Sequence, residues 1–269
     1  MDELFFIERG TAPLLVSIPH LGTVIPEALR DRYTPAALTV ADTDWHLDRL
    51  YAFVREMGAS MIGARVSRYV IDLNRPPNDE SLYPGQTTTG LCPAETFRGE
   101  PVYKPGCAPD AAQRDARVAQ YWQPYHEALA AELARLRERH ANVLLWEAHS
   151  IASVLPRLFT DKLPDLNLGT LDGRTCAGAV QQAAVDAMQA SNFTSVANGR
   201  FKGGYITRQY GAPERGIHAV QLEMCQSTYM NEEAPFEYQI ERAEVVQPTL
   251  QHMLGGALEA VRQLAPALS

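Results

Sequence analysis

The stretch NVLLWEAHS, residues 142–150, runs apolar through Val143, Leu144, Leu145 and Trp146 and then ends on Glu147, His149 and Ser150. A short apolar run of this kind reads as a buried strand. Two other segments repeat the pattern. LLVSIPHLG, residues 14–22, leads into His20, and IHAVQLEMC, residues 217–225, leads into Glu223. Three strand-like segments thus deliver ionisable groups at or near their C-terminal ends.

Outward from these strands, the chain alternates. TDWHLDRLYAFVREMG, residues 43–58, places Leu47, Leu50, Tyr51, Val54 and Met57 at helical spacing, with Thr43 or Asp42 as a cap and Gly58 as a stop. ASMIGARV (59–66) and RYVIDLN (68–74) read as strands. Residues 75–108 are rich in Pro, Gly and Thr and read as a long functional loop. A helix follows, clearest over 121–140, then the strand at 142. Residues 154–173 read as irregular, 175–191 as a helix, 194–201 as a strand, and 236–264 as largely helical. Such alternation predicts one α/β domain over 1–269, with a mixed, mostly parallel sheet between layers of helices. In open sheets of this type ligands bind beyond the carboxyl ends of the strands, where His20, His149 and Glu223 fall.

The bulk composition narrows the function. With 269 residues, 46% of them hydrophobic, the chain can build a full core. Acids outnumber bases, 32 to 24, for a net charge of -8, and no dense Lys/Arg run argues for a nucleic-acid partner. The first residues, MDELFFIERG, do not read as a secretory signal, and no apolar run reaches membrane-spanning length, so no membrane association is expected. The four cysteines form no C-x-x-C pair and read as reduced thiols of a cytoplasmic protein.

Histidines leaving strands are common metal ligands, because the strand fixes the backbone and neutral imidazole is available near pH 7. His20 and His149 fit that role. For a third ligand, ADTDWHLD (41–48) offers Asp44, with His46 as the alternative. A glutamate at a strand end is expensive to bury unless it is paired or functional, so Glu223 is the candidate general base. Glu147 is read as facing the opposite side of its strand, in a structural or supporting role. Asn74 and Arg75 close the RYVIDLN segment, and NGRFKGGYITRQYG (198–211) gathers Arg200, Lys202 and Arg208 around two glycines. Guanidinium forks in an acidic protein suggest a small-molecule substrate carrying carboxylates. No Walker A pattern, G-x-G-x-x-G fingerprint or G-x-S-x-G elbow occurs.

With these segments in hand, the chain resembles the N-formylglutamate amidohydrolase (N-formylglutamate deformylase) family. The resemblance rests on SIPHLG, DTDWHLDRLY, SRYVIDLNRPP, LWEAHSIAS, NGRFKGGYITRQYG and HAVQLEMCQSTYM, and spans nearly the whole chain. Leu21 stands where a Ser is common in the family, and Gln209 where His is common. A wider likeness joins VIDLNRP, AHSIAS and VQLEM to zinc carboxypeptidases, and implies a carboxypeptidase-like (phosphorylase/hydrolase-like) fold. It further implies His149 as a zinc ligand, Glu223 as the base, and Asn74 and Arg75 as carboxylate binders. The H-x-x-E of carboxypeptidases is absent after His20, where Thr23 replaces the Glu, so Asp44 becomes the natural third ligand. The implied reaction is cleavage of N-formyl-L-glutamate to L-glutamate and formate, the last step of one histidine-degradation route, with zinc as the expected metal. Two alternatives stay open: a metallo-deacylase or carboxypeptidase acting on another acidic acyl-amino acid, and a non-catalytic dicarboxylate-binding protein.

Overall fold

A computed structural model of the chain describes residues 4–82, 85 and 88–266. Seven strands form one mixed sheet in the order β1-β3-β2-β4-β7-β5-β6. They are β1 (Phe5–Glu8), β2 (Leu14–Ile18), β3 (Ser60–Ala64), β4 (Val143–Ile151), β5 (Leu166–Gly169), β6 (Ser195–Ala197) and β7 (Ile217–Cys225). Strands β3, β2, β4 and β7 run parallel side by side, while β1 and β5 join this block antiparallel. The chain leaves β2 toward β3 on one side and returns to β4 on the other. This reversal opens a crevice at the carboxyl ends of β2 and β4.

Helices cover both faces. The short helices α1 (Glu27–Arg30), α2 (Pro35–Leu38) and α3 (Leu47–Leu50) precede β3. Next come α4 (Ala111–Arg117) and α5 (Gln123–Arg137), joined by a π-helical turn over Val118–Trp122. Last come α6 (Gly178–Gln189), α7 (Tyr205–Tyr210) and α8 (Ile240–Gln263).

The two faces of the central strands are not alike. On one, Leu14, Val16, Ile18, Leu144, Trp146, Ala148, Val220, Leu222 and Met224 pack without interruption against α6 and α8. On the other, Leu15, Val143, Leu145 and Ala219 pack against Tyr125, Leu129 and Leu133 of α5. Because side chains alternate along a strand, that second face continues as Ser17, Glu147, His149, Gln221 and Glu223. It starts apolar and turns polar toward the carboxyl ends, so the site grows out of one face of the core. Register aligns these groups in rows: Ser17 opposite Glu147 opposite Gln221, then His149 opposite Glu223.

Three expectations about elements are corrected. The helix expected over 43–58 is reduced to α3 and a 3-10 turn over Ala52–Arg55. Its start is pulled away because the Asp44 amide bonds the His20 carbonyl (3.0 Å) and His46 turns into the left-handed region at φ 61°. Asp42 accepts from the Phe97 amide rather than capping a helix. Residues 68–74, expected as a strand, are buried irregular backbone held by local turns, with Asp72 accepting from the Asn74 amide at 2.9 Å. The stretch 154–173, expected to be irregular throughout, contains β5.

Candidate active site

His20 follows β2 by two residues and is 4% exposed. The turn carrying it lies tightly against the backbone of Val66, where a Cβ on Gly22 would stand 2.1 Å from the Val66 carbonyl oxygen. Glycine is therefore required there. His149, inside β4, is equally buried. Both imidazoles turn Nδ1 toward the same carboxylate oxygen, Oδ2 of Asp44, at 3.7 Å for His20 and 3.1 Å for His149. Their other nitrogens meet buried carboxylates. His20 Nε2 is 2.7 Å from Asp72 Oδ1, and His149 Nε2 is 3.3 Å from Glu147 Oε1.

The candidate ligand atoms of His20, Asp44 and His149 lie within 4.8 Å of one another. A tetrahedral zinc ion with bonds of about 2.0–2.1 Å sets its ligand atoms roughly 3.3 Å apart. The 3.1 and 3.7 Å contacts bracket that spacing. Two imidazoles and a carboxylate, each imidazole backed by a further carboxylate, are a donor set that fits a divalent cation. His46, the alternative third ligand, is not in the cluster: its Nε2 lies 2.7 Å from the Phe236 carbonyl.

Electrostatics follow from this crowding. Burial would raise the Asp44 carboxyl, but the hydrogen bonds and charge of His149 and His20 outweigh it and hold it down to about 2. Burial would lower His149, yet Asp44 and Glu147 push it up to about 10. Asp72 is opposed by burial and then drawn well below the usual carboxylate range by His20, Arg68 and Arg75. Glu223 goes the other way. Burial pushes it up to about 8, with the Asp44 charge adding to the rise, against His149, Arg68 and Arg75.

A cavity of about 90 Å³ opens over these groups, lined by His20, Asp44, His149 and Glu223 on one side and Arg68, Asn74, Arg75, Arg200, Thr88 and Thr89 on others. Arg75 gives Nε to the Thr89 carbonyl (2.8 Å), Nη2 to its hydroxyl (3.3 Å) and Nη1 to the Asn74 carbonyl (3.1 Å). These use three of its five N–H donors. Gly204 also lines the cavity, and a Cβ there would stand 2.3 Å from the Asn74 amide nitrogen. Asn74 accepts from the Ile206 amide (2.9 Å) and points its own NH₂ at His149 Nε2 (3.0 Å).

Two residues expected at the substrate lie outside the cavity lining. Lys202 pairs with Asp172 at 3.0 Å on the surface. Arg208 donates to the Gly203 and Leu82 carbonyls and ties two loops together. Glu147 is also corrected: residues two apart on a strand share a face, and it stands beside His149 rather than behind the sheet. Sequence reasoning missed Arg68 and Asp72. They form a buried ion pair at 2.7 Å, and their i, i+4 spacing within SRYVIDLN was the available signal.

Two imidazoles converging on one carboxylate, with Glu223 opposite His149 across the strand pair and Arg68, Arg75 and Arg200 lining the same cavity, are groups suited to a hydrolase. The family model described as N-formylglutamate amidohydrolase matches residues 12–230. The chain is 48% identical over 259 residues to the N-formylglutamate deformylase of Pseudomonas putida, covering 96% of this chain and 97% of that protein. The Pseudomonas aeruginosa N-formylglutamate deformylase is 48% identical over 260 residues, at 96% and 97% coverage. A crystal structure of an N-formylglutamate amidohydrolase from Ralstonia eutropha JMP134 superposes with a TM-score of 0.81 at 25% identity, covering 97% of this chain and 98% of that one. The chain belongs to the N-formylglutamate amidohydrolase family.

Proposed function

We propose that the chain hydrolyses N-formyl-L-glutamate to L-glutamate and formate, using a divalent cation, zinc first, held by His20, Asp44 and His149. The observation carrying this is the convergence of both Nδ1 atoms on one oxygen of Asp44, directly beside Glu223. When bound, the cation supplies Lewis-acid chemistry: it polarises the amide carbonyl and makes water easier to deprotonate.

The rest falls to side chains. Glu223 takes a proton from the attacking water and delivers it to the leaving amine nitrogen. Burial raises this carboxyl in the metal-free site, and a cation held by the neighbouring cluster would lower it again, leaving the carboxylate that accepts the proton. Arg68 lines the cavity beside the cluster and offers N–H donors to the oxygen that gains charge. Asn74, Arg75 and Arg200 face the substrate carboxylates. A formyl amino acid lacking the side-chain acid would forgo these contacts and be turned over more slowly. As part of the same proposal, the reaction closes a histidine-degradation route, as the family resemblance implies.

The test is formate release by chelator-stripped protein with and without zinc, using N-formyl-L-glutamate, N-acetyl-L-glutamate and N-formyl-L-methionine. Release only with metal and only from N-formyl-L-glutamate is expected. Faster cleavage of N-acetyl-L-glutamate would overturn the substrate assignment, and glutamate binding without metal or hydrolysis would replace the enzyme by a dicarboxylate-binding protein.

A further inference from the structure

The two histidines are supported unequally. Behind His20, Asp72 has both oxygens engaged: Oδ1 with His20 Nε2 (2.7 Å) and the Asn74 amide (2.9 Å), Oδ2 with Arg68 (2.7 Å). Behind His149, Glu147 is fully buried and has no arginine partner among the described residues. Its Oε1 lies 3.3 Å from His149 Nε2 and 3.4 Å from the Ser17 hydroxyl, which in turn meets the Tyr125 hydroxyl at 2.9 Å. Its Oε2 has no hydrogen-bond partner among the described residues. A buried carboxylate oxygen without a donor is costly, and the ring donor within reach of Glu147 is His149 Nε2, 3.3 Å away.

His149 Nε2 also sits 3.0 Å from the Asn74 NH₂, whose orientation is fixed because Asn74 Oδ1 accepts from the Ile206 amide. The two neighbours make opposite demands. Accepting from Asn74 requires a bare Nε2, whereas donating to Glu147 requires a proton there. Nδ1 faces Asp44, so occupation of Nδ1 by a cation leaves the ring proton on Nε2.

We propose that Glu147 is a positioning residue: it holds His149 as the Nε2–H tautomer with Nδ1 free for the cation, and so releases the Asn74 amide to the cavity. This rests on the metal reading above. Carboxylates that orient ligand histidines are worth about 10–100-fold in metal affinity. Cation uptake would thereby prepare a substrate-binding group, and order metal before substrate.

The experiment is zinc titration of chelator-stripped protein against a chromophoric competitor, for wild type, Glu147→Met and Glu147→Gln, with thermal unfolding of each stripped protein alongside. Methionine matches the length of glutamate without an acceptor, and the thermal unfolding of the stripped variant shows whether it folds. It should weaken zinc binding about 10–100-fold, and glutamine, which keeps an acceptor oxygen, should restore most of the loss. Wild-type zinc affinity in a folded Glu147→Met protein would overturn the proposal. Should the variants not fold, ¹⁵N NMR of wild type loaded with ¹¹³Cd decides: coupling to His149 Nδ1 with a protonated Nε2 supports it, and coupling to Nε2 sinks it. A wild-type protein that takes up neither metal removes the metal reading itself.

Discussion

Half of the site stands on strands and half on loops, and the halves are stabilised differently. His149, Glu147, Gln221 and Glu223 project from β4 and β7, whose backbones are fixed by a nine-residue parallel ladder. Asp44, Arg68, Asp72, Asn74 and Arg75 project from irregular backbone that no ladder holds. The loop half is held by its own polar contacts instead. Asp72 alone bonds a histidine, an arginine and a backbone amide. Chemistry on the strand half is therefore separable from folding, while on the loop half the groups facing substrate are also the groups that shape the loop.

Glu223→Gln attacks the strand half and should give the largest effect: kcat for formate release falls by about 10²–10⁴-fold, while zinc content measured by atomic absorption stays at the wild-type level. A parallel loss of bound metal would mean that Glu223 also shapes the ligand cluster. Asp72→Asn attacks the loop half. It strands Arg68 in the interior, so urea unfolding should show a loss of about 3–5 kcal/mol together with lower activity. Unchanged stability would erase the distinction between the halves.

Glu223 also sharpens the comparison through pH. Its folded carboxyl is raised from 4.5 to about 8. The folded state therefore holds a proton that the unfolded state has released, and stability falls as pH rises across that window. Glutamine removes the penalty. The unfolding temperature of metal-free Glu223→Gln relative to metal-free wild type should rise from pH 4.5 to pH 8, equivalent to a few kcal/mol, and a flat difference would show that Glu223 is already ionised. Smallest of all, Lys202→Ala should leave kcat/KM for N-formyl-L-glutamate within about twofold, since surface ion pairs contribute little and Lys202 is engaged with Asp172.

The same division explains what could be read from the residues alone. Strands β2, β4 and β7 were legible because alternating or continuous apolar runs have few other uses. Their polar endings, His20, His149 and Glu223, line one cavity. The loop half was half legible. Asp44, Asn74 and Arg75 stood out by residue type, but the helix periodicity of 43–58 gave no hint that the His20 carbonyl captures the Asp44 amide. The β-rich letters of 68–74 likewise concealed a segment whose backbone serves Asp72 rather than a sheet. Strand β5 has only four residues next to Pro164, too short for its period to register. Lys202 and Arg208 were grouped with Arg200 by proximity in sequence, and proximity does not reveal which way each side chain turns.

The tryptophans give this molecule an optical consequence. Trp146 is fully buried on the apolar face, its ring N–H directed to the Tyr51 hydroxyl. Trp45 is the immediate neighbour of Asp44 and stacks on Phe236. Trp122 donates to the Arg75 carbonyl and stacks 3.7 Å from His126. Trp45 therefore sits beside the ligand cluster and Trp122 beside the Arg75 wall, both on the loop half, so a fluorescence change on adding zinc or substrate can be assigned to one of them by Trp45→Phe and Trp122→Phe.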